Sequence, residues 1–195
     1  MINAEASAVL ARLEQRDSLE REQNVPHERR LRQITADVGR FLHVVVLATR
    51  PHAILEIGTS GGYSTIWLAT AARHVGAGVV TLEVDPAKIR QATAHLREAG
   101  VDDIVTVVQG DAFAYLRDCR QPVDFVFLDA EKDDYLSYLG LIVPLLSPGG
   151  VLVADNLLSH AELLAGFRER ALSHPGLSAV VVPIGRGELL AVKTG

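Results

Sequence analysis

Two short segments set oxygen-bearing side chains at the ends of apolar runs. Phe127-Leu128-Asp129-Ala130-Glu131-Lys132-Asp133-Asp134-Tyr135 places Asp129 directly after one run, and Val153-Ala154-Asp155-Asn156 repeats the arrangement with Asp155 and Asn156. If both runs are neighbouring strands of an open α/β sheet, their carboxyl ends open into one crevice. Two carboxylates and an amide oxygen would then converge, an all-oxygen set suited to a hard divalent ion, Mg²⁺ first, with Ca²⁺ or Mn²⁺ also accommodated. Adjacent buried carboxylates repel unless a proton or a metal intervenes, which points the same way. The alternative for these residues is a metal-free site in which Asp129 meets a ligand directly and Asp155 caps a loop. Taken alone, Lys132 reads as a solvated lysine in a charged run.

A second constellation lies upstream. Glu56-Ile57-Gly58-Thr59-Ser60-Gly61-Gly62-Tyr63-Ser64 follows an apolar run and opens a helix, so small residues let a ligand approach the backbone beside a helix N-terminus. A G-x-G-x-x-G dinucleotide fingerprint would need glycine where Ser60 and Tyr63 stand, which disfavours a nicotinamide-dependent oxidoreductase. Glu83 ends the next apolar run, roughly twenty residues past Gly62, the separation at which an acid accepts hydrogen bonds from ribose hydroxyls. Glu56 could offset a ligand's ammonium group, directly or through water. Asp111 and Ala112 end the third run, where an adenine edge would lie, and Asp111 serves equally well as a helix cap. The bland reading makes the acids solvated strand ends and the glycines turn residues; the paired acid at the right separation favours an adenosine ligand.

These residues need a scaffold, and the chain supplies one in rhythm. Apolar, β-branched runs at 53–57, 79–84, 104–109, 123–129 and 151–155 alternate with helix-length segments at 64–73, 86–99, 111–118, 134–146 and 160–173. Runs without polar alternation imply a parallel sheet covered on both faces. The tail departs from that rhythm: 177–184 and 188–193 are joined only by Gly185-Arg186-Gly187, too short for a parallel crossover, so they form an antiparallel hairpin. The fold class is therefore α/β, a doubly wound, mostly parallel seven-stranded sheet closed by a C-terminal hairpin. Two helices precede it. One, at 4–21, is weakly amphipathic through Ala8, Val9, Ala11, Leu13 and Leu19 and reads as a peripheral lid. The other is capped by Thr35, stops before Pro51, and turns Phe41, Leu42, Val45 and Val46 to a core.

Residues 1–195 read as one domain, with helices over 1–50 and a ligand-binding α/β core over 51–195. A net charge of −5 and 5% aromatic residues argue against nucleic acid as a partner, because both phosphate attraction and base stacking lack their usual groups. No apolar run approaches the roughly 18 to 20 residues that cross a bilayer, so no membrane partner is expected. Cys119 is the only cysteine, which leaves no intrachain disulfide or cysteine-based zinc site and suits a cytoplasmic location, as does the lack of an export signal.

From Thr35 to Asn156, the ordered motifs ADVGRFL, LEIGTSGGYS, FLDAEKDDY and ADN resemble the cation-dependent O-methyltransferases of the catechol and caffeoyl-coenzyme A type. The resemblance implies a class I methyltransferase fold, Rossmann-like, with S-adenosyl-L-methionine as donor and a small-molecule acceptor such as a catechol. It implies a divalent cation on Asp129, Asp155 and Asn156, and cofactor contacts from Glu56, Gly58, Thr59, Ser64, Glu83, Ala112 and Glu131. It also implies Lys132 as catalytic base and a homodimer. The chemistry is coherent, since a phenol with a pKa of about 10 attacks a methyl group poorly until it is ionised. A divalent ion would stabilise the oxyanion and favour the neutral amine of Lys132. Two stretches depart from the family. After the Asp-Asn pair the chain reads Leu157-Leu158-Ser159-His160, without the usual aromatic, and Arg186-Gly187-Glu188 stands where the family more often has an Asp-Gly-apolar turn. His160 is expected in the first turn of a helix, as a surface residue or a substrate contact. Arg186 reads as a hairpin-turn arginine, or as a contact to an acidic acceptor.

Overall fold

The computed structural model describes residues 2–26, 30 and 32–195. Helix α1 (Ala4–Glu22) is capped by the Asn3 side chain and α2 (Ala36–Thr49) by Thr35, each satisfying an N–H that the first helical turn cannot. The alternating core follows as β1 (Ala53–Ile57), α3 (Tyr63–Val75), β2 (Gly78–Glu83), α4 (Pro86–Glu98), β3 (Val105–Gln109), α5 (Ala112–Asp118) and β4 (Val123–Leu128). It continues through α6 (Tyr135–Leu145), β5 (Leu146–Ala154), α7 (Ala165–Leu172), β6 (Leu177–Val182) and β7 (Glu188–Lys193).

The strands form one sheet in the order β3-β2-β1-β4-β5-β7-β6. Strands β1 to β5 are parallel, and β7 runs antiparallel to both β5 and β6, as the short Gly185-Arg186-Gly187 link requires. Successive side chains of each central strand enter opposite layers. Ile54, Phe125, Phe127, Val151 and Val153 join the layer of α1 to α4, whereas Leu55, Val126, Leu128, Leu152 and Ala154 join that of α5 to α7. This two-sided burial explains the unbroken apolar runs: each large side chain taken from water contributes about 1.5 to 3 kcal/mol. The chain order reverses between β1 and β4, so a crevice opens at their carboxyl ends.

Two expectations need correction. Helix α1 is no lid: Ala6, Val9, Leu10 and Leu13 are buried in the core, and Tyr63 donates to Glu14 at 2.6 Å. The apolar stripe lies at 6, 9, 10 and 13, which Ala8 and Ala11 obscured in the sequence. The helix after β5 begins at Ala165, not 160, because the N–H of Leu157 bonds the Gly187 carbonyl and those of Leu158 and Ser159 bond the Arg186 carbonyl. Those cross-links hold 157–159 against the β6–β7 turn, so His160 sits in a turn stretch ahead of the helix. Among the described residues no helix is long and apolar enough to cross a membrane.

Candidate active site

A cleft of about 500 Å³ opens along the carboxyl ends of the strands, within the size range of small-ligand sites. On its β1–β3 side the turn after β1 approaches β4 closely. Gly58 has φ +106, and a Cβ there would stand 2.2 Å from the Asp129 carbonyl oxygen, so only glycine fits. Gly58, Thr59, Ser64, Glu83, Asp111 and Ala112 all line the cleft. Glu83 accepts from the N–H of Ser60 at 2.8 Å, Val84 at 2.9 Å and Asp85 at 3.0 Å, which fixes the loop after β1 against the end of β2. A carboxylate offers about four lone-pair sites, leaving room for a hydroxyl. Asp111 caps α5 by accepting from Phe113 and Ala114, so capping and cleft lining coexist in one residue.

Glu56, near the carboxyl end of β1, stands behind the cleft wall. It is fully buried beneath the loop rather than on the cleft wall, and its Oε2 accepts from Thr65 at 2.5 Å and Thr81 at 2.6 Å. Burial raises its pKa to about 7, the hydroxyl bonds opposing the shift only in part, and Oε1 has no hydrogen-bond partner. Through Thr65 it ties β1 to the first turn of α3, so its direct structural task is positioning the loop. Any effect on a ligand's ammonium passes through that wall.

The β4–β5 side gathers charge. Asp129 Oδ1 accepts from Lys132 Nζ at 2.8 Å and from Asn156 Nδ2 at 3.1 Å, and Lys132 also donates to the Ala130 carbonyl at 2.8 Å. Asp155, buried just behind, accepts the Asn156 N–H at 2.5 Å; Asn156 itself is held at φ +76. Asp129, Glu131, Lys132, Asn156 and His160 line the cleft. Glu188, read in the sequence only as part of a turn, is a fully buried carboxyl at the start of β7 that lies against Asp155, and its two oxygens find no donor unless one of that pair is protonated. Burial raises the pKa of both Asp155 and Glu188, and neighbouring carboxylates, Asp129 among them, push each further. Its only sequence signal is an acid opening an otherwise apolar strand, in place of the family's apolar residue.

Three carboxyls beside one lysine are a crowding that either protons on Asp155 and Glu188 or a bound cation would relieve, and the donors are all oxygen. Among the described residues no three acidic, histidine or cysteine side chains are arranged to hold a metal, so an ion here relies on Asp129, Asp155 and the Asn156 amide. That amide presents its NH₂ to Asp129 while its oxygen accepts from Ser159 Oγ at 3.1 Å. The serine hydroxyl can accept as well as donate, so a reversed amide keeps its Ser159 bond but gives up its bond to Asp129, turning its oxygen to the corner at a cost that a bound cation would offset. The residues therefore fit a hard divalent ion.

Comparison with known proteins bears on this cleft directly. The family model described as "Methyltransferase domain" matches residues 55–157, more than half of the chain, from β1 through the Asp155-Asn156 pair. The catechol O-methyltransferase of Mycobacterium tuberculosis is 38% identical over 161 residues, covering 76% of this chain and 73% of that protein. The chain belongs to the class I S-adenosylmethionine-dependent O-methyltransferases. As a methyltransferase it also superposes on solved relatives. The O-methyltransferase TomG from Streptomyces achromogenes, involved in tomaymycin synthesis and solved with S-adenosylmethionine, gives a TM-score of 0.81 at 30% identity, covering 96% of this chain and 90% of that one. The Bacillus cereus O-methyltransferase with S-adenosylhomocysteine gives 0.81 at 28% identity, covering 96% and 91%. The donor of this methyltransferase is thereby S-adenosylmethionine, and the mostly parallel sheet with its closing antiparallel strands is the expected fold.

Proposed function

We propose that this methyltransferase transfers a methyl group to one of two adjacent hydroxyls of a small catechol-like acceptor, with a divalent cation held by Asp129, Asp155 and Asn156. The observation that carries the reading is the crowding of Asp129, Asp155 and Glu188 around a single lysine at the end of β4 and β5. Gly58, Thr59, Ser64, Glu83, Asp111 and Ala112 hold the donor, with Glu83 receiving the ribose hydroxyls and Ala112 flanking the base. Glu131 lines the same wall and keeps a low pKa beside Arg32.

When bound, the cation supplies the positive charge that neutralises the paired carboxylates and stabilises the acceptor oxyanion. The chain's own residues do the rest. Lys132 Nζ, 2.8 Å from Asp129, is placed to take the phenol proton once it is released from that ion pair. The close approach of Gly58 to Asp129 joins the donor loop to the acceptor corner, so fixed backbone would hold the two reactants side by side. A second reading draws support from the Lys132–Asp129 ion pair: a metal-free enzyme in which lysine alone balances Asp129.

Methyl transfer from labelled S-adenosylmethionine to catechol, measured with added Mg²⁺ and with EDTA, separates the two. Turnover that disappears in EDTA and returns with Mg²⁺ is expected. Turnover unchanged by EDTA supports the metal-free reading, and cofactor binding with no transfer to any catechol removes the catalytic one.

A further inference from the structure

The β6–β7 turn carries an arginine where the family more often has an acid, and the structure places it in the cleft. Arg186 lines the same cavity as Asp129, Lys132, Asn156 and His160 and is half-buried. Its carbonyl accepts the N–H of Leu158 at 2.9 Å and of Ser159 at 3.0 Å. Gly187, at φ +91, packs so tightly that a Cβ would stand 2.4 Å from Leu158 Cγ. The turn is thus clamped to the loop that follows Asn156.

Strand order sets the direction in which an acceptor extends. The donor residues lie at β1, β2 and β3, the reacting corner at β4 and β5, and Arg186 at the next position outward, beside β7. An acceptor with its hydroxyls at Asp129 and Asn156 that extends outward along this strand order would have its far end toward Arg186.

Charge bookkeeping narrows what that end can be. Lys132 is paired with Asp129 and Arg32 with Glu131 at 2.7 Å, while among the described residues no carboxylate lies within ion-pair distance of Arg186. A half-buried guanidinium without an acid, in a wall otherwise rich in carboxylates, leaves its planar donor fork available to a ligand. One such cation matches one negative charge. A phosphate ester, carrying nearly two, would need a second unpaired cation at that end; Lys132 and Arg32 are engaged, and Lys88, the remaining lysine of the cleft, stands on the donor side in the first turn of α4.

We infer that Arg186 selects acceptors bearing a carboxylate at the end remote from the methylated hydroxyl, so that the substrate class is a vicinally hydroxylated aromatic acid. The inference rests on the catechol-like reading above. It is tested by comparing kcat/KM for 3,4-dihydroxybenzoate and for 3,4-dihydroxybenzyl alcohol, a neutral counterpart of similar shape, in the wild type, Arg186→Gln and Arg186→Lys. S-Adenosylhomocysteine titration reports whether each variant folds. A charge-assisted contact of this kind predicts a preference for the acid of about tenfold or more, collapsing toward parity in Arg186→Gln and partly kept in Arg186→Lys. Equal use of both acceptors by the wild type, or a preference untouched by Arg186→Gln, overturns the inference. If the wild type methylates neither compound, that failure belongs to the catechol-like reading. Calorimetry of the S-adenosylhomocysteine-loaded protein with dihydroxybenzoate then decides: binding lost in Arg186→Gln supports the carboxylate contact, and no binding to the wild type rejects it.

Discussion

At the donor end of the cleft the protein answers nearly all of its own polar groups, whereas at the β4–β5–β7 corner charge outruns its partners. Glu83 takes three backbone N–H groups and Glu56 two threonine hydroxyls, so the donor loop is fixed before any ligand arrives. Asp129, Asp155 and Glu188 share one lysine, and two of the three are pushed toward their protonated forms. Preorganisation lowers the ordering cost of binding at the first end. The second end is completed by what binds there, which is the usual character of a corner that performs the chemistry.

The contrast can be broken by variants that touch one half only. Lys132→Ala should lower kcat by about 10²- to 10⁴-fold, the range of a general base, with S-adenosylhomocysteine affinity near that of the wild type. A fall in affinity as large as the fall in turnover would merge the two halves. Glu56 gives a stability signature. Its pKa is raised to about 7 in the fold, so its contribution is fully present below the ordinary carboxylate value and is lost as pH rises through 7. Cofactor-free protein should therefore lose about 3 kcal/mol from this group between pH 4 and pH 8, and Glu56→Gln should remove that part of the slope in urea titrations. A slope identical in wild type and variant would show that the loop under the donor is not strained by this acid. Smallest in energy, Glu83→Ala should weaken S-adenosylhomocysteine binding by about 10- to 100-fold, with kcat at saturating donor largely kept. Unchanged affinity would take the ribose role away from Glu83.

Much of this was legible in the residues. Apolar runs without alternation gave the parallel strands, the three-residue link gave the antiparallel hairpin, and Thr35 and Asp111 announced their helices. The pairing of Asp129 with Asn156 followed from two strand ends becoming neighbours. What escaped the sequence was depth. Glu56 and Glu83 look alike as acids ending strands, yet one is sealed under the loop and the other faces the cleft, because β1 is central and its last turn is covered by Thr65 and Thr81. The burial of Glu188 depends on its place between β5 and β6, which no local pattern encodes. The late start of α7 likewise depends on carbonyls from the distant turn at Arg186 and Gly187.

The most direct measurement counts Mn²⁺ bound per chain by electron paramagnetic resonance, in the S-adenosylhomocysteine-loaded wild type and in Asp155→Asn. One ion per chain in the wild type and a strong loss of affinity in the variant are expected. A wild type that binds no Mn²⁺ while transferring methyl groups at full rate in EDTA would contradict the cation site.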